Sequence, residues 1–167
     1  MGADTPEIGI GVIEGGLYVV MQGRATQRTC PTTDKVINDF LASKPEIPTI
    51  RLDLTGCDWL DSTFAGWLVS MTKRIIRYPG GQIILTGCGK RCMASLEKMK
   101  LASLFQFAET IVPVEIQQIR CTTSDQPKKE ELKLMLEAHE TLASLNPENA
   151  QIFAPIAATL RSQLEQR

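Results

Sequence analysis

Apolar residues along the first two-thirds of the chain recur with two periods, one typical of strands and one typical of helices. Strand-like runs occupy residues 8–13, 17–21, 49–54, 82–86 and 111–116, and helix-like segments lie between them at 29–42, 62–77 and 90–98. Short strands that alternate with helices of this length are typical of a parallel or mixed sheet with helices packed on it. The sequence therefore predicts an α/β domain over residues 6–116, in which a mixed β-sheet is covered by helices.

Glycine and proline mark where these elements are expected to end. Gly15 and Gly16 lie between the first two strand-like runs and predict a hairpin turn, and Gly23 is expected to end the second strand. Pro79 follows the second helix-like segment and is expected to terminate it. After the strand that ends at residue 54 we expect a short loop, in which Trp59 is exposed.

The composition changes after residue 121. Residues 122–127 are polar and predict a linker, whereas residues 128–145 carry leucine and methionine at helical spacing. A second helix is predicted to start at Asn146 and Pro147, and Pro155 is expected to kink or split it. Residues 122–167 are therefore predicted to form a helical hairpin.

Each helix of the predicted hairpin has one apolar face, and two helices cannot bury both faces against each other alone. Large exposed apolar patches are uncommon on monomeric proteins. We therefore expect the hairpin to cover the sheet domain. The alternative is a homodimer contact.

Composition excludes several classes of function. The 167 residues carry 18 basic and 19 acidic side chains, a formal net charge of −1, so no basic excess favours nucleic acid or an anionic membrane. No apolar run approaches the roughly 20 residues that span a bilayer, and the first residues lack the features of a signal peptide. We expect a cytoplasmic protein without membrane insertion.

Cysteine and histidine usage does not favour an enzyme or a metal site. The five cysteines form no C-x-x-C pair, and His139 is the only histidine, far from the cysteines and in the predicted hairpin. A thiol or hydroxyl nucleophile would need a nearby base, and we expect His139 to be a partly exposed helix residue. The segment 87–90 could cradle a phosphate between a strand and a helix, but it lacks the P-loop pattern. We expect no cofactor and no catalytic activity.

Asp61, Ser62 and Thr63 stand where a central strand gives way to a helix. Side chains of these types often cap a helix N-terminus. A hydroxyl in this position can also carry a phosphate, because the free N–H groups and the positive end of the helix dipole favour negative charge. The two roles are compatible.

Several motifs in order along the chain resemble the STAS domain, the fold of bacterial anti-sigma factor antagonists and of the cytoplasmic tails of sulfate transporters. The motifs are Leu52-Asp53-Leu54, Leu60-Asp61-Ser62-Thr63, Gly66-x-Leu68, residues 80–85 and Leu101-x-x-Leu104-Phe105. The resemblance spans about residues 8 to 116 and does not include the hairpin.

The resemblance implies that Ser62 is phosphorylated by a partner that is both a serine kinase and an anti-sigma factor. Transporter-linked members often lack a hydroxyl at this position, so the antagonist branch is favoured. The implied partner-binding residues surround Ser62; they are Arg24, Thr26, Asp58, Trp59, Asp61, Ser62, Thr63 and Phe64.

Two places depart from the family pattern. Phe64, Ala65 and Gly66 replace a Gly-Leu-Gly-like stretch, and the segment after the second strand, residues 23–26, lacks the usual acidic residue. Both places belong to the family's partner surface. The alternative function is a STAS-type accessory subunit of a lipid-transport ABC complex, in which the same corner would dock on an ATPase without phosphorylation.

Overall fold

A computed structural model describes residues 6–113, 115–121 and 127–167, so most of the predicted linker lies outside the described residues. Within these ranges the chain forms six strands and five helices. The strands are β1 (Glu7–Ile13), β2 (Gly16–Ala25), β3 (Thr49–Leu60), β4 (Gln82–Thr86), β5 (Gln106–Ala108) and β6 (Gln117–Arg120). The helices are α1 (Cys30–Ala42), α2 (Ser62–Ile75), α3 (Lys90–Lys98), α4 (Lys129–Ala143) and α5 (Pro147–Glu165).

The strands form one mixed sheet in the order β5-β4-β3-β2-β1-β6. β2, β3, β4 and β5 are parallel to one another, whereas β1 pairs antiparallel with both β2 and β6. The predicted mixed sheet covered by helices is confirmed.

Helix α2 lies between the rest of the domain and α4, which explains its composition. Nine of its residues are buried, among them Phe64, Trp67 and Leu68. A helix that is apolar almost all round is one that is covered on more than one side. The near-continuous apolar run from residue 63 to 71 therefore follows from the position of α2 beneath the C-terminal hairpin.

The strands β2 and β3 are longer than expected. Gly23 does not end β2 but adopts a φ of 72°, and the pairing with β3 shifts register on either side of it. Glycine takes a positive φ at little cost, so the strand continues through an irregularity to Ala25. β3 likewise runs on to Leu60, which places Trp59 on a strand and not in a loop. The turn between β1 and β2 is made by Glu14 and Gly15, both with positive φ, and not by Gly15 and Gly16.

The expected strand at residues 111–116 is wrong. Its described residues form no strand; Ile111 and Val112 are 52% and 64% exposed, and Pro113 has no N–H to donate to a ladder. The sheet instead gains β5 before this segment and β6 after it. Because β6 pairs with β1, the sheet extends beyond the expected domain boundary at residue 116.

The C-terminal helical hairpin is confirmed. The Asn146 side chain caps α5 by accepting from the N–H of Asn149 at 2.8 Å. Pro155 does not split α5, which runs unbroken from Pro147 to Glu165, with Pro155 on its exposed side. The hairpin packs on α2, as expected, and its main buried side chains are Leu132, Ala138, Leu142, Phe153, Ala157 and Leu160.

Candidate functional site at the start of helix α2

Asp61 fixes the corner between β3 and α2. It is the N-cap of α2, and its Oδ1 accepts from the N–H of Phe64 at 2.7 Å. Its Oδ2 accepts from the N–H of Gln27 at 2.9 Å, and its own N–H donates to the Ala25 carbonyl at 3.0 Å. The expected capping role is confirmed, and the same carboxylate ties the start of α2 to the segment after β2.

The corner already disfavours negative charge. Burial raises the pKa of Asp61, while the N–H groups of Phe64 and Gln27 act in the opposite direction by stabilising the carboxylate. Any further negative charge here would need either exposure to water or a cation beside it.

Ser62 contacts a histidine from the hairpin. The Ser62 Oγ lies 2.9 Å from His139 Nε2, and His139 Nδ1 lies 2.7 Å from the Met135 carbonyl oxygen. A carbonyl can only accept, so Nδ1 carries a proton. In the tautomer that has its proton on Nδ1 alone, Nε2 accepts from the Ser62 hydroxyl. The expectation that His139 is partly exposed is wrong, because its side chain is only 3% exposed.

Small residues on α2 allow α4 to approach closely. Ser62, Gly66 and Ser70 follow one another at intervals of four, which places them on one face of the helix. A Cβ added at Gly66 would overlap the Ala138 carbonyl oxygen of α4. One turn further on, Ser70 Oγ lies 2.9 Å from Thr141 Oγ1. The Ser62-x-x-x-Gly66-x-x-x-Ser70 spacing is the sequence signal that could have revealed this contact.

Three of the predicted partner-binding residues form an exposed surface beside the corner. Arg24, Asp58 and Trp59 lie at the adjacent ends of β2 and β3, and Arg24 and Trp59 are paired in register. The Arg24 guanidinium lies 5.5 Å from the centroid of the Trp59 ring, a cation–π contact, and Trp59 is 45% exposed. Arg24, Asp58 and Trp59 are called the Trp59 surface below.

The other predicted partner-binding residues are less accessible. Thr26 and Ser62 are half-buried, whereas Thr63 and Phe64 are buried, at 2% and 0% exposure. Phe64 packs against Trp67 with 5.2 Å between the ring centroids. Thr63 and Phe64 can shape this corner but do not present side chains to a partner in this structure.

A buried polar pair lies further back on β2 and β3. The Tyr18 hydroxyl donates to the Asp53 carboxylate, whose other oxygen accepts from the N–H of Thr55 at 2.8 Å. Burial, and then the hydrogen bond to Asp53, raise the pKa of Tyr18. Asp53 belongs to the Leu-Asp-Leu motif, and its contacts show a structural role in joining the two central strands.

Three cysteines, Cys57, Cys88 and Cys92, lie close to one another between β3 and α3. A hydrogen bond with Cys92 lowers the pKa of Cys57 to about 7, although burial acts in the opposite direction. Cys88, two residues before α3, is half-buried beside them. No group of three His, Cys, Asp or Glu side chains that could hold a metal ion occurs in the described parts of the chain. In those parts, too, no helix is both long and apolar enough to cross a membrane.

Residues 13–113 match the STAS domain family. The chain belongs to this family. The matched region contains the sheet from the β1–β2 turn to β5, the Ser62 corner and α1 to α3, whereas the hairpin of this STAS protein lies outside it. No curated protein sequence matches the chain.

Solved structures of anti-sigma factor antagonists share the fold. One from Mycobacterium paratuberculosis has a TM-score of 0.53 and 17% identity, over 64% of this chain and 89% of that one. A proposed antagonist from Thermotoga maritima has a TM-score of 0.53 and 16% identity, over 62% and 86%. The antagonist SpoIIAA in its unphosphorylated form has a TM-score of 0.51 and 14% identity, over 61% and 86%. At 14–17% sequence identity, this similarity shows a shared fold only.

Proposed function

We propose that this STAS protein is an anti-sigma factor antagonist, whose partner is an anti-sigma factor with serine kinase activity and whose phosphoacceptor is Ser62. The observation that carries the proposal is the position of the Ser62 hydroxyl. It stands on the first residue of α2, directly after the Asp61 cap and beside the exposed Trp59 surface.

The start of a helix suits a phosphoserine. The partner kinase would transfer the γ-phosphoryl group of ATP to Ser62 Oγ; the bond from the γ-phosphorus to the bridging oxygen breaks, ADP leaves, and a kinase base takes the hydroxyl proton. The phosphate adds about −1.5 to −2 charges. The positive end of the α2 dipole favours that charge, although Asp61 already accepts from the N–H groups of Phe64 and Ala65.

The Trp59 surface supplies the means of recognition. An exposed tryptophan covered by an arginine is typical of residues that contribute strongly to protein interfaces. Phosphate on Ser62 would stand close to Asp58 and Asp61 and make this corner strongly acidic. A partner that docks through the corner would then meet like charge, so phosphorylation weakens binding.

In this proposal the protein is a substrate of the kinase and a ligand of the anti-sigma factor, with no turnover of its own. Ser62 and His139 have the spacing of a nucleophile and its base. A substrate would need a pocket beside these two side chains. The groove between α2 and α4 is lined by Trp67, Ser70 and Arg74 among others and does not include Ser62. The proposed site of action is the cytoplasm, where ATP is available to the kinase.

A STAS-type accessory subunit of a lipid-transport ABC complex is the second candidate. The observation that favours it is the hydrogen bond from Ser62 to buried His139, because docking on an ATPase needs no free hydroxyl. Mapping phosphate on the protein distinguishes the two functions, because only the antagonist is expected to be phosphorylated on Ser62.

The test is to treat the purified protein with ATP labelled at the γ-phosphate and an extract of the source cell, and to map the label by mass spectrometry. We expect phosphate on Ser62 and none in Ser62→Ala. Ser70→Ala is the matched control, because Ser70 lies two turns along the same helix face and should leave labelling in place. Labelling that persists in Ser62→Ala, or a protein that is not labelled, contradicts the proposal.

A further inference from the structure

We propose that the α4–α5 hairpin is an autoinhibitory cap on the phosphorylation site, so that hairpin docking and phosphorylation of Ser62 exclude each other. This inference rests on the proposed function, since it concerns the regulation of the same serine. It is carried by the contact between Ser62 and His139 and by the close packing of α4 on α2.

The hydroxyl is engaged when the hairpin is docked. Ser62 donates to His139 Nε2 at 2.9 Å, and the Met135 carbonyl at 2.7 Å from Nδ1 holds the ring in the tautomer that accepts. Phosphoryl transfer requires the same oxygen to lose its proton and to face the γ-phosphate of ATP. A kinase must therefore displace His139 or the whole of α4 before it can reach the hydroxyl.

The docked interface has no room for a phosphate on its His139 side. One turn along α2, Gly66 already lies so close to the Ala138 carbonyl that a single added methyl group would overlap it. The phosphate would also need the space beside Ser62 Oγ that the buried His139 ring now occupies, with Nε2 at 2.9 Å, in a corner where the Asp61 carboxylate is already half-buried. Phosphoserine at position 62 therefore favours the undocked hairpin.

The hairpin can leave as one unit. Arg161 on α5 pairs with Glu140 on α4, and the ring of Phe153 lies 6.0 Å from the His139 ring. These contacts are internal to the hairpin and survive its release. The sheet gains no strand from the hairpin, so the release leaves every described strand pairing intact.

An apolar interface that buries Leu142 and Phe153 holds the hairpin in place, and a few polar contacts, among them the ion pair of Lys100 with Glu148, add to it. Besides the Ser62 contact, Ser70 bonds Thr141, and Asn149 Nδ2 donates to the Met99 carbonyl at 3.0 Å. Since docking and phosphorylation oppose each other, linkage requires that whatever loosens the hairpin raises access to Ser62 by the same factor.

The first experiment needs no kinase. Phosphoserine is incorporated at position 62 of the full chain during translation, and backbone hydrogen–deuterium exchange is compared with that of the unmodified protein. We expect exchange across residues 129–165 to accelerate by about 10-fold, because a 10-fold change corresponds to the loss of one to two stabilising contacts. Exchange rates in β2, β3 and β4 should stay unchanged. Unchanged or slower exchange in the hairpin overturns the cap.

The second experiment uses the kinase. His139→Ala should raise the initial rate of Ser62 phosphorylation by about 10-fold, and Gly66→Ala, which wedges α2 from α4 while favouring helix, should do the same. Gln163→Ala, at an exposed position of α5, is the matched control. Equal rates in all four proteins overturn the cap while leaving the proposed function intact. If none of the four proteins is phosphorylated, the proposed function is wrong. The hydrogen–deuterium exchange experiment alone then tests whether phosphate on Ser62 releases the hairpin.

Discussion

The sheet unit, residues 6–121, and the hairpin, residues 127–167, are held by different means. The sheet unit has continuous strand pairing across a core of large apolar side chains such as Leu52, Leu54 and Phe64. The hairpin docks through one face of α2, over Ser62, Gly66 and Ser70, with two side-chain hydrogen bonds at that face. Under the proposed cap, the hairpin contact changes while the sheet does not, and that contact lies on the candidate phosphorylation site.

The largest effect should come from the core of the sheet unit. Phe64→Ala should lower the free energy of unfolding by about 3–5 kcal/mol, because a buried aromatic ring leaves a cavity. Urea unfolding followed by circular dichroism measures it. Phe64→Leu, which keeps most of the volume, is the control and should cost less than about 1.5 kcal/mol. Full stability of Phe64→Ala combined with lost partner binding would show instead that Phe64 is a contact residue.

A smaller but still global effect should follow from the buried polar pair. Tyr18→Phe leaves one oxygen of the buried Asp53 carboxylate without its donor, so we expect a loss of about 1–3 kcal/mol in the free energy of unfolding. Tyr78→Phe, at an exposed position, is the control and should change stability little. A loss of stability in the hairpin alone would contradict the view that the Tyr18–Asp53 pair stabilises the sheet unit.

A local effect should follow from Ser70→Ala. It removes the hydrogen bond to Thr141 without touching Ser62, and should weaken hairpin docking by about 0.5–1.5 kcal/mol. Hydrogen exchange should accelerate in α4 and α5 and stay constant in the sheet. An equal acceleration in both regions would mean that they open as one cooperative unit.

The smallest effect on stability is expected at the Trp59 surface. Trp59→Ala should lower the free energy of unfolding by about 1 kcal/mol or less, because the residue is 45% exposed and its cation–π contact with Arg24 lies at the surface. Binding of the anti-sigma factor should nevertheless weaken, since exposed tryptophans are frequent interface anchors. The control is Ile47→Ala, at an exposed position just before β3 and so at the opposite end of that strand from Trp59. It should change neither stability nor affinity for the anti-sigma factor. Unchanged affinity in Trp59→Ala would remove this surface from the interface.

The sheet could be predicted from the sequence where local patterns decide the structure. The bounds of β4 and α3 agree with the prediction, because a continuous apolar run and an amphipathic run were each bounded by glycine or a turn. The strand expected at 111–116 failed because apolar content alone does not form a strand: Pro113 cannot donate, and the exposed Ile111 and Val112 have no core to enter.

The hairpin's role at the site could not be predicted in the same way. Ser62 and His139 are 77 residues apart, and the periodicity that identifies a helix does not show which helix it will pack on. His139 is the only histidine in the sequence, and nothing local distinguished a buried acceptor from an exposed side chain. Only the docking of α4 on α2 brings it to the hydroxyl.

Whether charge at Ser62 switches partner binding is tested by comparing the affinities of Ser62→Ala and Ser62→Asp for the anti-sigma factor kinase by isothermal titration calorimetry. Alanine removes the phosphoacceptor without adding charge, whereas aspartate places negative charge beside Asp58 and Asp61. We expect Ser62→Asp to bind more weakly than Ser62→Ala by about 10-fold or more, through like-charge repulsion at the interface. Equal affinity of the two variants would contradict the claim that charge at Ser62 switches the interaction.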